Sequence, residues 1–156
     1  MSPISALHQA IAELSSAIAG QALDARLQED LNARFGPASP MFRRLREACE
    51  QGVAQGELCR REAGGIRYGR VFKPEEALQG FSVDVVDMQD IAGPHHVHPL
   101  GEIDLVMPLD EQARFDGSGA GWVVYGPGSA HRPTVSQGRA LVLYLLPQGS
   151  IQFSQA

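Results

Sequence analysis

Apolar residues recur at helical spacing through the first third of the chain and at alternate positions beyond it. Leu7, Ile11, Leu14 and Ile18 follow one another at steps of four, three and four, which draws one apolar stripe along a helix. Ser2-Pro3 ahead of them is a helix start, since Pro in the first turn gives up no hydrogen bond. Leu23, Leu27 and Leu31 repeat the pattern, and Phe35-Gly36-Pro37 ends it. Ser39-Pro40 then opens a third helix with Phe42, Leu45, Cys49 and Val53 along one side.

After Gly56 the period shortens. Phe81, Val83 and Val85 alternate with Ser82 and Asp84, as in a strand with one wet face. Short strands are expected near 57–62, 66–72, 81–88, 94–98, 102–107, 112–115, 121–125, 131–135, 139–146 and 150–154, with Gly, Pro and Asp between them. The layout predicts a mainly β protein: an antiparallel β-barrel or jelly roll over 57–156 behind an N-terminal α-helical region over 1–56. The helices are amphipathic and must bury their stripe on the barrel or on a second subunit. A homodimer or higher homo-oligomer is therefore expected.

Composition narrows the function classes. Net charge is −5 and no basic stripe exists, so nucleic acid is not an expected partner. No apolar run nears the roughly 20 residues of a membrane span; the longest, Ala140–Leu146, is strand length. The segment MSPISALHQAIAELSSAIAG lacks the basic start of a signal peptide, and His8, Gln9 and Glu13 interrupt its apolar residues. Two cysteines, Cys49 and Cys59, suit a reducing compartment, and a cytoplasmic location is expected.

The chemistry concentrates in Gly93-Pro-His-His-Val-His-Pro-Leu-Gly-Glu102. His96 and His98 are two apart, so on a strand both imidazoles share a face. Pro99-Leu100-Gly101 turns the chain, and Glu102 returns beside them. Gly126-Pro-Gly-Ser-Ala-His131 supplies a second turn and a third imidazole. Three nitrogens and a carboxylate suit a divalent transition metal (Fe, Mn, Ni or Zn) and leave positions open for water or substrate. His95 is expected to face away and serve behind the ligands. Asp104 shares the parity of Glu102, which places it behind the ligands as a barrel lining or as a structural hydrogen bond. Arg67, Arg70, Arg114, Arg132 and Arg139 are candidate anion clamps, with Arg132 and Arg70 foremost for substrate. Trp122, Tyr125, Tyr144 and Phe81 are candidate aromatic walls, with Trp122 and Tyr125 taken as substrate contacts.

These residues resemble the two motifs of the cupin superfamily: His-x-His, three residues and Glu, then a distant Gly-x-x-His. Three features depart from the usual pattern. His96 follows Gly93 by only three residues, Gly126 stands where the second motif has Pro, and no Asn follows His131. The runs Gly121–Val135 and Ala140–Pro147, with the helical N-terminal region, are also similar to the 4-hydroxylaminobenzoate lyase family of nitroaromatic degradation. That resemblance implies conversion of 4-hydroxylaminobenzoate to 3,4-dihydroxybenzoate (protocatechuate) and ammonia. It implies metal ligation by His96, His98, Glu102 and His131, with Glu102, His96 and His98 catalytic. It also implies an aromatic carboxylate substrate held by an Arg. The N–O bond is then the internal oxidant, so neither nicotinamide nor flavin is expected, in keeping with the lack of a Gly-rich dinucleotide loop. Two other readings remain open on the sequence: a metal-dependent oxygenase acting on an aromatic or small acid, and a non-catalytic small-molecule-binding cupin.

Overall fold

The computed structural model describes residues 1–154. Three helices come first: α1 (Pro3–Ala17), α2 (Ala25–Phe35) and α3 (Pro40–Ala54). Each begins on a side chain that satisfies a free backbone N–H. The Ser2 hydroxyl accepts from Ser5, the Asp24 carboxylate from Leu27, and the Ser39 hydroxyl from Phe42. None of them is long and apolar enough to cross a membrane.

Ten strands follow: β1 (Arg61–Ala63), β2 (Ile66–Phe72), β3 (Phe81–Ala92), β4 (His96–His98), β5 (Glu102–Pro108), β6 (Arg114–Phe115), β7 (Gly121–Tyr125), β8 (Ser129–His131), β9 (Thr134–Pro147) and β10 (Gln152–Phe153). Seven form one antiparallel sheet in the order β1-β2-β3-β9-β5-β7, with β6 beside β9. Three form a small sheet, β10-β4-β8. The mainly antiparallel β architecture with a helical N-terminal region is the one the sequence predicts.

The middle of the large sheet, β3, β9 and β5, is buried on both faces. Val83, Val85, Ile103, Leu105, Leu143 and Leu145 point outward and share one core with Leu7, Ile11, Leu14, Leu31, Phe42 and Leu45 of the helices. The helical stripe is therefore buried on the sheet itself. Alternate residues point inward, where Val86, Met88, Val106, Phe115, Val142 and Tyr144 pack together. All seven residues of β5 are buried for this reason.

β7 would otherwise be an open edge. α2 covers it: Asn32 and Gln28 hydrogen-bond the backbone of Trp122 and Val124 at 2.8–2.9 Å. Gly121 permits the approach, because a Cβ there would meet Asn32 Oδ1 at 2.8 Å.

Several strand boundaries differ from expectation. Glu57–Arg60 is not a strand: the N–H groups of Glu57 and Leu58 both return to the Gly52 carbonyl, and Cys59 is left-handed at φ 55°. The strand expected at 131–135 is two strands. Pro133, with no N–H to give a ladder, parts β8 from β9. Gln137-Gly138 is no terminus, because β9 runs through it with both residues at positive φ (62° and 131°).

Candidate metal centre

His96 and His98 end β4 on its buried face, with Val97 between them half-buried on the other. Across β8, His131 is the register partner of His96 and Ser129 that of His98. Glu102 opens β5 after the turn at Gly101. One turn and one strand pairing thus bring four side chains to a point.

One ligand atom from each of His96, His98, Glu102 and His131 lies within 4.8 Å of the others. Nε2 of His98 is 3.2 Å from Glu102 Oε2, that of His131 is 3.6 Å from the same oxygen, and that of His96 is 3.7 Å from Oε1. His98 Nε2 and both Glu102 oxygens are buried and have no hydrogen-bond partner. Buried polar atoms ordinarily find partners. Nε2 of His96 and Nε2 of His131 lie 3.1 Å apart. Three nitrogens and an oxygen converging on one point, one nitrogen and the oxygen unpartnered, fit a transition-metal ion.

The far side of each ring fixes which nitrogen faces inward. His96 Nδ1 donates to the Pro94 carbonyl at 3.2 Å. The Ser129 hydroxyl donates to the Gly126 carbonyl at 2.6 Å, so its oxygen accepts from His98 Nδ1 at 3.0 Å. His131 Nδ1 donates to Asp116 Oδ2 at 2.6 Å. With every Nδ1 carrying its proton outward, each Nε2 can offer a lone pair inward.

Asp116 is absent from the sequence expectations, and the structure gives it four bonds of consequence. Besides His131, it accepts from the Tyr125 hydroxyl at 2.6 Å and from the Thr134 N–H at 2.9 Å, while its own N–H bonds the Thr134 carbonyl at 2.8 Å. It sits at φ 49° in the turn before Gly117, so the sequence shows only a turn. These donors outweigh the effect of burial and hold its carboxyl below the usual range. Burial opposes a charge on His131, but the hydrogen bond to Asp116 and the nearby Glu102 carboxylate raise its pKa to about 9. In the metal-free protein that contribution to stability is complete below 6.5 and is lost as pH rises through about 9. Asp116→Asn is expected to flatten this loss, read as Tm against pH, and to weaken metal binding by about 10- to 100-fold in chelator competition.

Glu102 and Asp104 are both fully buried on the inner side of β5 and differ in state. Burial opposes ionisation of Glu102, but the three imidazoles around it hold its carboxyl well below the ordinary range. Burial and the neighbouring Glu102 charge push Asp104 well above it, and neither Asp104 oxygen has a hydrogen-bond partner.

An open cavity of about 980 Å³ reaches this cluster at His96, with walls that include Arg70, Tyr68, Asp84, Tyr144 and Phe153. Tyr125 stands beside the cluster rather than in the cavity wall. Its ring centroid is 4.4 Å from that of His131 and 5.3 Å from that of His98.

Three expected positions need correction. Trp122 pairs with Leu105, so it faces the helices, and its indole donates to the Phe35 carbonyl at 2.9 Å; it is not a substrate wall. Arg132 is exposed and bonds the Gly93 carbonyl, one residue out of phase with His131. His95 does not support a ligand: its Nδ1 meets the Ser154 hydroxyl at 2.7 Å and its carbonyl takes the Ser154 N–H, which fastens the chain after β10.

A family model described as PnbB: 4-hydroxylaminobenzoate lyase matches residues 9–153. A 4-hydroxylaminobenzoate lyase of Nocardioides sp. (strain LMS-CY) is 35% identical over 150 residues, covering 90% of this chain and 86% of that protein. A second, from Pseudomonas putida, is 32% identical over 147 residues, covering 83% and 84%. Among solved structures, an RmlC-like cupin protein from Ralstonia eutropha JMP134 aligns over 58% of this chain and 60% of its own, at 12% identity and TM-score 0.44.

Proposed function

Because the chain belongs to the 4-hydroxylaminobenzoate lyase family, an enzyme family, we propose that it converts 4-hydroxylaminobenzoate and water to 3,4-dihydroxybenzoate and ammonia. The observation that carries this reading is the buried set of three imidazoles and one carboxylate, all turned inward, at the end of a cavity wide enough for a benzoate.

The reaction balances without an external oxidant. Nitrogen goes from the hydroxylamine to the ammonia level while a ring carbon is oxidised. Hydroxide leaves nitrogen with the N–O electron pair and a proton. Water adds to the ring carbon ortho to nitrogen. A second water hydrolyses the carbon–nitrogen double bond, ammonia departs, and loss of the ring proton restores the aromatic catechol. Net consumption is one water.

His96, His98, Glu102 and His131 would hold a divalent transition metal (Fe, Mn, Ni or Zn), which when bound supplies Lewis acidity and lowers the pKa of water. Glu102 has two oxygens without hydrogen-bond partners, so one stays available to take a proton from the attacking water. His96 and His98 flank that carboxylate, one beside each oxygen, at 3.7 and 3.2 Å. Tyr144, Val86 and Met88 line the approach and give it an apolar wall for the ring.

The test is anaerobic incubation of the metal-loaded protein with 4-hydroxylaminobenzoate. Ammonia and protocatechuate in equal amounts are expected. Turnover that appears only when oxygen is admitted, with oxygen consumed, would replace this reading with an oxygenase.

A further inference from the structure

We propose that Arg70, held in place by Asp84, is the anchor for the substrate's para-carboxylate and so selects anionic arylhydroxylamines over neutral ones. The inference rests on the reaction proposed above for the identity of the substrate. Its geometry stands apart from it.

Elimination leaves few cations. Arg139 is locked to Asp87 on the helix-facing side of the sheet, through Nε and Nη2 at 2.8 and 2.7 Å. Arg67 pairs in register with that same Asp87 and shares its face. Arg114 spends its guanidinium on the carbonyls of Glu111 and Ala113. Arg132 lies outside the cavity wall. The basic residues that line the cavity are Arg60, Arg61, Arg70 and Lys73.

Arg70 alone of these combines the right row with a fixed geometry. The register places Arg70, Asp84, Tyr144 and Asp104 side by side across β2, β3, β9 and β5, on the inner face. Arg61 lies one strand further out; all four side chains are exposed, and Arg70 is the one held by an ion pair to Asp84. Arg70 Nε and Nη2 grip the two Asp84 oxygens at 3.1 and 3.3 Å, and Nη2 also reaches the Gly149 carbonyl at 3.4 Å. Nη1 makes none of these bonds and remains for a ligand oxygen. A guanidinium fixed beforehand loses little freedom on binding.

The spacing is also right. The ion pair holds the guanidinium over β3, two strands from β5, which carries Glu102. Two strand spacings are about 10 Å. A para-substituted benzoate with a hydrogen bond at each end fills that gap. Its carboxylate would lie at Arg70 and its hydroxylamine at the imidazole cluster, with the ring along Tyr144. Away from the imidazole cluster the inner face carries the carboxyls of Asp104 and Asp84, so the carboxylate end of an anion gains from this cation.

The experiment compares kcat/KM for 4-hydroxylaminobenzoate and for phenylhydroxylamine, which lacks the carboxylate. Arg70→Ala is expected to lower the ratio of the two by about 10- to 100-fold, through KM for the anionic substrate. Arg70→Lys should fall between, since it keeps the charge and loses the fork. The double variant Arg70→Ala/Asp84→Asn should keep the low ratio; a return to the wild-type ratio would mean that Asp84 repels rather than that Arg70 attracts. An unchanged ratio in Arg70→Ala overturns the proposal. Binding of 4-aminobenzoate, followed by calorimetry, reads the anchor without turnover. It should weaken by a similar factor in Arg70→Ala even if the reaction proves to be another, and equal affinity overturns the anchor.

Discussion

Replacing His98 with Ala is expected to abolish ammonia release from 4-hydroxylaminobenzoate and to leave a folded protein that retains no metal through dialysis. His98 is wholly buried, its Nδ1 is fixed by Ser129, and its Nε2 has no other partner than the point where the four ligand atoms converge. Alanine leaves two nitrogens and one carboxylate, a set that binds transition metals far more weakly. The loss should exceed the roughly 10²- to 10⁴-fold that one proton-transferring group contributes, because Lewis acidity and water activation go together. Stability should change little. The lost packing is offset by removal of an unpartnered buried nitrogen. Elemental analysis, the ammonia assay and near-ultraviolet circular dichroism check the three parts separately. A His98→Ala protein with full metal content and full turnover would remove the metal centre from the chemistry.

Trp122→Ala should act in the opposite sense, with a large cost in stability and a small one in chemistry. The side chain is 2% exposed, fills the seam between α2 and the sheet, and supplies the Phe35 carbonyl with its hydrogen-bond donor. Removal of such a residue costs about 3–5 kcal/mol, against a total of about 5–15 kcal/mol for a domain. Thermal and urea unfolding should both register it. Well below the lowered Tm, KM for 4-hydroxylaminobenzoate should stay near the wild-type value, because Leu105 and Trp122 share the helix-facing side while Glu102 and Tyr125 share the other. A raised KM with unchanged stability would return Trp122 to the substrate.

These contrasts show what a sequence can carry. His96, His98, Glu102 and His131 are legible because each depends on short-range rules: alternation on one strand, a turn, and a glycine-rich turn before the third imidazole. The helices are legible for the same reason, from Ser and Pro at their starts and apolar steps within them. Asp116 is not, because its meaning lies in Tyr125, His131 and Thr134, which reach it through strand pairing. The side on which Trp122 lies is also a matter of register, fixed only when Leu105 is known to be its partner. Gln137-Gly138 reads as a break between the strands expected at 131–135 and 139–146, yet tertiary pairing carries β9 through it. Of the two arginines the sequence puts foremost, Arg132 and Arg70, the second is set apart by the row in which its strand lands.

β5 carries two unrelated vocabularies in alternating letters. Its even-numbered positions, Glu102 and Asp104, speak to the inner face and its imidazoles; its odd-numbered ones, Ile103, Leu105 and Met107, speak to the helices. A point substitution disturbs one message and spares the other. A single-residue insertion or deletion before Leu105 would shift the frame of both, sending a carboxylate into the helix layer and an aliphatic side chain into the chemistry. Drift among relatives should therefore be tolerant of exchange along this strand and intolerant of any change in its length.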